Sequence, residues 1–143
     1  MALIAPELYD RLVALRRELH QYPELSWQEA RTAAVISRFL HDCGIHHRTN
    51  IAGHGVVADI PGKTGVPCVV LRADTDALPI QEETGLEFAS VHDAVMHACG
   101  YDGQTTMLLG WYHPHRGNLR RSLSAVGQTL LCHGDGSECD RGR

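Results

Sequence analysis

The segment PCVVLRADTDALP, Pro67–Pro79, runs an apolar stretch into two aspartates and a proline. Val69, Val70 and Leu71 suit a pleated, half-buried strand, and the strand ends in acids and a turn. Chemistry-bearing side chains therefore sit at the rim of a sheet. Along an extended exit, Asp74 and Asp76 point the same way, so both can address one site. A strand-terminal turn with two solvated acids would read the same in sequence.

Working toward the N-terminus, GVVADI (Gly55–Ile60) is a second short β-rich run, joined to the first by PGKTG. Proline and glycine there supply a turn, and the two runs are expected as a β-hairpin or as neighbouring strands. Before them the period changes. Leu8, Leu12, Leu15 and Leu19 recur every three or four residues, one stripe of a helix from Pro6 to about Tyr22. Pro6 suits its first turn. YPELS interrupts the pattern, and Ser26 with Glu29 forms the spelling of a capping box. A second helix, about Trp27–Cys43, is expected to turn Ala33, Ala34, Ile36, Phe39 and Leu40 inward, with Gly44 closing it in a left-handed cap.

Toward the C-terminus, Thr75–Gly100 shows no sustained period and reads as a long ordered loop of the kind that carries sites. A short helix is expected to begin near Asp102 and to include Thr105, Met107, Leu108 and Leu109. After Gly110 the hydrophobic period is lost, and only LRRSLSAVGQTLL (Leu119–Leu131) suits a short helix or strand. The expected division is 1–110 as an α/β unit, two N-terminal helices packed on a few strands, and 111–143 as an irregular tail.

A chain of 143 residues suits one core. An apolar fraction of 43% and a charged fraction of 21% are globular values, and no apolar run approaches the roughly 18 residues of a membrane span. Glu7 and Asp10 lie among the first hydrophobic residues, unlike a secretory signal, so a cytoplasmic location is expected. A net charge of −4 offers no basic excess for a phosphate backbone, which argues against nucleic acid as a partner. Five cysteines at irregular spacing argue against a disulfide framework and fit a reducing compartment.

Two clusters carry candidate metal donors. MHACGYDGQ (Met96–Gln104) sets His97, Cys99 and Asp102 close together, with Gly100 and Gly103 letting backbone wrap around an ion. A buried cysteine beside a core histidine would have the same spacing. The second, CHGDGSECD (Cys132–Asp140), matches no established zinc spacing and reads equally as a polar terminus.

Taken together and in order, HQYPELSWQE, LRADTDALPIQEETGLEFAS and MHACGYDGQTTMLLG resemble the N-terminal part of the M20 metallopeptidase family, in its amidohydrolase branch. That branch includes hippurate hydrolases, N-acyl-amino-acid deacylases and auxin-conjugate hydrolases. The likeness covers about Leu12–Gly110. It implies a partial mixed-sheet catalytic domain of a zinc-peptidase-like α/β fold, a divalent metal cofactor (zinc or manganese) and a small-molecule N-acyl amino acid as substrate of the parent reaction, amide hydrolysis. Paired metal ions in such enzymes polarise the carbonyl and activate a bridging water, whose proton a carboxylate takes.

By the same resemblance Cys99 matches a metal ligand, and Asp76 matches an aspartate that orients a ligand from behind. Arg72 and Asp74 match the motif without a ligand role. The family motif reads His-Ala-Cys-Gly-His-Asp-Gly-His, so Tyr101 and Gln104 stand here at family histidine positions. The glutamate pair that supplies a general base follows later in the family, and Glu82–Glu83 belongs to the preceding loop. A truncation, a shifted frame after Gly110 and a genuine short protein would each produce this text. The expectation is an amidohydrolase fragment inactive by itself. The alternative is a pseudoenzyme or interaction module that keeps half the fold and self-associates through exposed edges.

Overall fold

The computed structural model describes residues 5–60, 69–115 and 123–127. Helix α1 spans Pro6–Gln21, with Pro6 in its first turn, where a missing N–H costs nothing. Leu8, Leu15 and Leu19 of the expected stripe are buried, and Leu12 is half-buried against them. Helix α2, Ala30–Asp42, buries Val35, Ile36, Phe39 and Leu40. Two inward assignments change there: Ala34 is exposed, and Val35 takes the core position.

The start of α2 differs from the expected capping box, which neither Ser26 nor Glu29 forms. Its free N–H groups are met by Glu24, whose carboxylate accepts from Arg31 N at 3.1 Å and Thr32 N at 2.7 Å. An anion at a helix N-terminus also complements the helix dipole. Trp27 adopts a φ of 68°, so the chain turns sharply before α2 rather than entering helix at once. The other end agrees with expectation. Gly44 has a φ of 65°, Gly44 N donates to His41 O and Ile45 N to Leu40 O, the paired bonds of a Schellman cap.

Four strands form one sheet in the order β1 (His47–Ile51), β2 (Gly55–Ile60), β4 (Leu123–Gly127), β3 (Val69–Ala73). β1 and β2 are an antiparallel hairpin, although β1 has no apolar alternation in sequence to mark it as a strand. The expected adjacency of β2 and β3 does not occur. β4 lies between them, antiparallel to β2 with Val57 opposite Val126, and parallel to β3 with Leu71 opposite Ala125. Helix α3 likewise continues past Gly110, spanning Tyr101–His115. The change of composition at Gly110 therefore does not end regular structure.

Helices and sheet enclose one core, in which Leu19 and Leu40 are almost fully buried beside Val56 and Ala58 of β2. Burial of each such leucine stabilises the fold by roughly 1.5–3 kcal/mol. Gly110 brings α3 close to α1: a Cβ there would lie 2.7 Å from Leu12 Cδ1. Among the described residues no helix is long and apolar enough to cross a membrane.

Candidate functional site

The exit of β3 behaves as its sequence suggests. Ala73, Thr75 and Ala77 are buried while Asp74 and Asp76 are half-buried, so the two acids share the outer side of an extended segment. Arg72 donates to Asp74, and Ser26 Oγ donates to Asp76. Ser26 thus serves the acid rather than the helix cap. The segment is anchored by Ala77 N donating to Glu24 O at 2.8 Å. Thr105 Oγ1 donates to the Asp74 carbonyl at 3.1 Å, tying α3 to the end of β3.

Cys99 lies on the turn that starts α3, with an exposed thiol. Gly100 has a φ of 73°, and its carbonyl accepts from Gly103 N and Gln104 N to begin the helix. No atom crowds a Cβ at Gly100, so glycine is required there by conformation alone. Tyr101, the next residue, brings the two halves of the site together. Its phenol is pushed above the ordinary value by the charge of Cys99, then by Asp74, by partial burial and by Asp76, with a hydrogen bond to Cys99 adding to the shift. Cys99, Asp74 and Asp76 therefore act on Tyr101 as one electrostatic neighbourhood. Gln104 is exposed one turn further along α3.

Below this rim lies a buried polar cluster that takes in His97 and Asp102 of the expected donor set and joins them to His20 and Glu82, which the sequence did not connect to them. His20, in the last turn of α1, meets Asp102 Oδ2 through Nδ1 at 2.8 Å and Glu82 Oε1 through Nε2 at 3.1 Å. Arg16 Nε also meets Asp102 Oδ2 at 2.8 Å. Burial opposes the charge on Glu82, but hydrogen bonds from Thr84, Ser90 N and His20 prevail and hold its carboxyl at about 2. His97 is buried beside them; burial pushes its imidazole below the ordinary value against the pull of Asp102. Among the described residues, neither His97 nitrogen nor Asp102 Oδ1 has a hydrogen-bond partner, and the same holds for both oxygens of buried Glu29. The contacts of His20 span 62 and 82 residues of sequence, beyond any local pattern. The one local clue is that His20 adjoins Leu19 at the edge of the apolar stripe.

Residues 70–123 match the model of peptidase family M20/M25/M40. Over more than two thirds of its length the chain is similar to the N-terminal part of that family, in its amidohydrolase branch. It is 52% identical over 103 residues to N-acetyl-L-cysteine deacetylase of Bacillus subtilis (strain 168), covering 72% of this chain and 25% of that protein. It is 42% identical over 127 residues to IAA-amino acid hydrolase ILR1-like 2 of Arabidopsis thaliana, covering 87% of this chain and 29% of that one. The fold matches the crystal structure of the Bacillus subtilis YXEP protein, described as a dinuclear metal binding peptidase from the M20 family. That match has a TM-score of 0.80 at 38% identity and covers 87% of this chain and 36% of that one. The chain thus spans between a quarter and a third of the length of the two curated relatives.

The donors present do not fit a dinuclear centre. Among the described residues no three histidine, cysteine, aspartate or glutamate side chains are grouped to hold a metal ion. Cys99 has a phenol beside it where an imidazole would donate, and a neutral phenol is a poor ligand for zinc-like ions. The second sequence candidate, Cys132–Asp140, lies outside the described residues.

Proposed function

We propose that this chain is the N-terminal portion of a metal-dependent amidohydrolase catalytic domain, whose parent reaction hydrolyses the amide of an N-acyl amino acid. The observation that carries it is the convergence of Asp74 and Asp76, leaving β3, on Cys99 and Tyr101, entering α3. Relatives that share these segments are an N-acetyl-L-cysteine deacetylase and an IAA-amino acid hydrolase. In this reading Cys99 stands where the parent enzymes would hold a divalent ion, zinc or manganese, and Asp76, braced by Ser26, stands where they would orient that site from behind. Tyr101 and Gln104 leave the donor set incomplete, and no hydrolytic step is assigned to these residues. The chain by itself is inactive, cytoplasmic and without nucleic-acid partners.

The test compares the chain with its Tyr101→His, Gln104→His variant by calorimetric zinc titration and by ninhydrin detection of amino acid released from an N-acetyl amino acid. Two imidazoles beside Cys99 should tighten zinc binding by about tenfold or more, each factor of ten being about 1.4 kcal/mol. Neither form should turn over. Equal zinc affinity in the two would sink the metal-loop reading, and turnover by the unmodified chain would overturn its inactivity.

A second reading is favoured by one feature. β3 lies at an edge of the sheet among the described residues, with Val70 45% exposed. An apolar edge strand templates further pairing, so a non-catalytic module that self-associates through β3 is the alternative. A concentration-dependent dimer in size-exclusion chromatography, abolished by Val70→Lys, would support it.

A further inference from the structure

The residues that form the rim are carried on two segments with little regular structure of their own. Between β3 and α3 the chain runs from Asp74 to Gly100 without a helix or strand. Main-chain bonds hold it at a few points: Leu78 and Met96 exchange N–H···O bonds at 3.0 Å, and Val91 N donates to Gln21 O at 2.9 Å. Thr105 ties α3 to the Asp74 carbonyl at one end of this loop, but the 80–90 stretch needs its own contact to the first turn of α3 if Cys99 and Tyr101 are to keep a fixed position beside Asp74 and Asp76.

We propose that His20 is the positioning residue that does this, by joining Glu82 of the loop to Asp102 of α3 through a single imidazole. The geometry is specific. One ring nitrogen lies 2.8 Å from Asp102 Oδ2 and the other 3.1 Å from Glu82 Oε1, and the ring satisfies both acceptors only when both nitrogens carry hydrogen. All three side chains are withdrawn from water, at 6%, 1% and 2% exposure, so these charge-assisted bonds are poorly screened. Each partner is itself anchored in its own segment. Glu82 also accepts Ser90 N at 2.6 Å, closing its loop, and Asp102 is three residues beyond Cys99 and adjoins Tyr101. Phe88 reinforces the loop side, edge-on to His20 and beneath the Arg16 and Arg17 guanidinium groups. His20 bonds to Glu82 and Asp102, and acts on the rim residues through the segments that carry them. The proposal deepens the reading above, since the residues positioned are those it places at the site, but its test needs neither metal nor turnover.

The test is the charge selectivity of alkylation at Cys99, read by peptide mass spectrometry. Carboxylates facing a thiol disfavour an anionic reagent, so the rate with iodoacetate relative to neutral iodoacetamide reports how closely Asp74 and Asp76 are held to Cys99. Cys43, 2% exposed in the core, reports general opening in the same sample. His20→Gln should raise the iodoacetate-to-iodoacetamide ratio at Cys99 about threefold, the loss of a Coulomb interaction of about 0.65 kcal/mol, with Cys43 still protected. Glu82→Gln should raise it similarly, and the double variant should add nothing further, because both act through one contact. An unchanged ratio with Cys43 protected would overturn the proposal. So would additive effects of the two variants, or Cys43 losing its protection in both single variants, which would make His20 a support of the whole fold. Failure of the zinc titration above would leave these outcomes intact, so the two readings fall separately.

Discussion

Replacing Gly110 by alanine sets two effects of known sign against each other. Alanine is better than glycine in a helix interior by about 0.8–1.0 kcal/mol, so an unobstructed Gly110→Ala should stabilise α3. The new Cβ, however, would stand 2.7 Å from Leu12 Cδ1, 3.2 Å from Cδ2 and 3.6 Å from Cγ. Carbon atoms pack best at about 3.5–4.0 Å, and overpacking a fitted contact costs about 1–3 kcal/mol. Leu12 is half-buried and packed against the core cluster, and three of its side-chain carbons lie within 4 Å of the new Cβ, which limits how far it can swing away. The contact should win, leaving Gly110→Ala about 1 kcal/mol less stable. In a Leu12→Ala background the obstruction is gone, and the same change should stabilise by about 1 kcal/mol, a coupling of about 2 kcal/mol. Urea unfolding followed by far-ultraviolet circular dichroism measures all four members of the cycle, with a constant m-value as the control for two-state behaviour. If Gly110→Ala stabilises equally in both backgrounds, α1 and α3 do not approach as closely as the structure shows.

Two further predictions concern buried acids with opposite signs. Glu82 is held at about 2 in the fold against 4.5 for a free carboxyl, so the stability it contributes is fully present above about pH 4.5 and is lost as pH falls toward 2. The shift corresponds to about 3 kcal/mol near neutral pH. Glu82→Gln should be less stable at pH 7, and its stability should fall less steeply than wild type between about pH 5 and 3; parallel acid unfolding of the two would refute the assignment. Glu29 is shifted the other way, by burial first and then by the charge of Asp76, which together outweigh the nearby backbone groups of Glu29 and Trp27 and the pull of His54. Its penalty is absent below the unfolded value of 4.5 and grows as pH rises from there to its folded value. Glu29→Gln should therefore gain about 1 kcal/mol or more at pH 7, the scale of a buried unsatisfied polar group, and nothing near pH 4. A loss of stability at pH 7 would show that the ionised carboxylate has a partner in the fold.

Local pattern determined those parts of the protein whose physics is local. The leucine stripe of α1 and the glycine cap of α2 follow from helical period and from the left-handed conformation that Gly44 alone in that turn adopts readily. The shared outer side of Asp74 and Asp76 follows from the two-residue period of an extended chain. The ordered motifs pointed to the family, and with it to Cys99 as a metal ligand and Asp76 as its support. Tertiary structure decided what depends on partners distant in sequence. Nothing in LSAVG at Leu123–Gly127 tells that it enters between β2 and β3, because strand adjacency is set by which edges meet during packing, and neighbouring runs in sequence have no prior claim on each other. Ser26 and Glu29 have the letters of a capping box, yet the Ser26 hydroxyl serves Asp76, and Glu24 caps α2 from the preceding loop. His20 shows the same limit most clearly. Its spelling within an amphipathic helix is that of any histidine at the edge of an apolar face, and only the fold, by bringing Glu82 and Asp102 to its two nitrogens out of contact with water, makes it a joint between them.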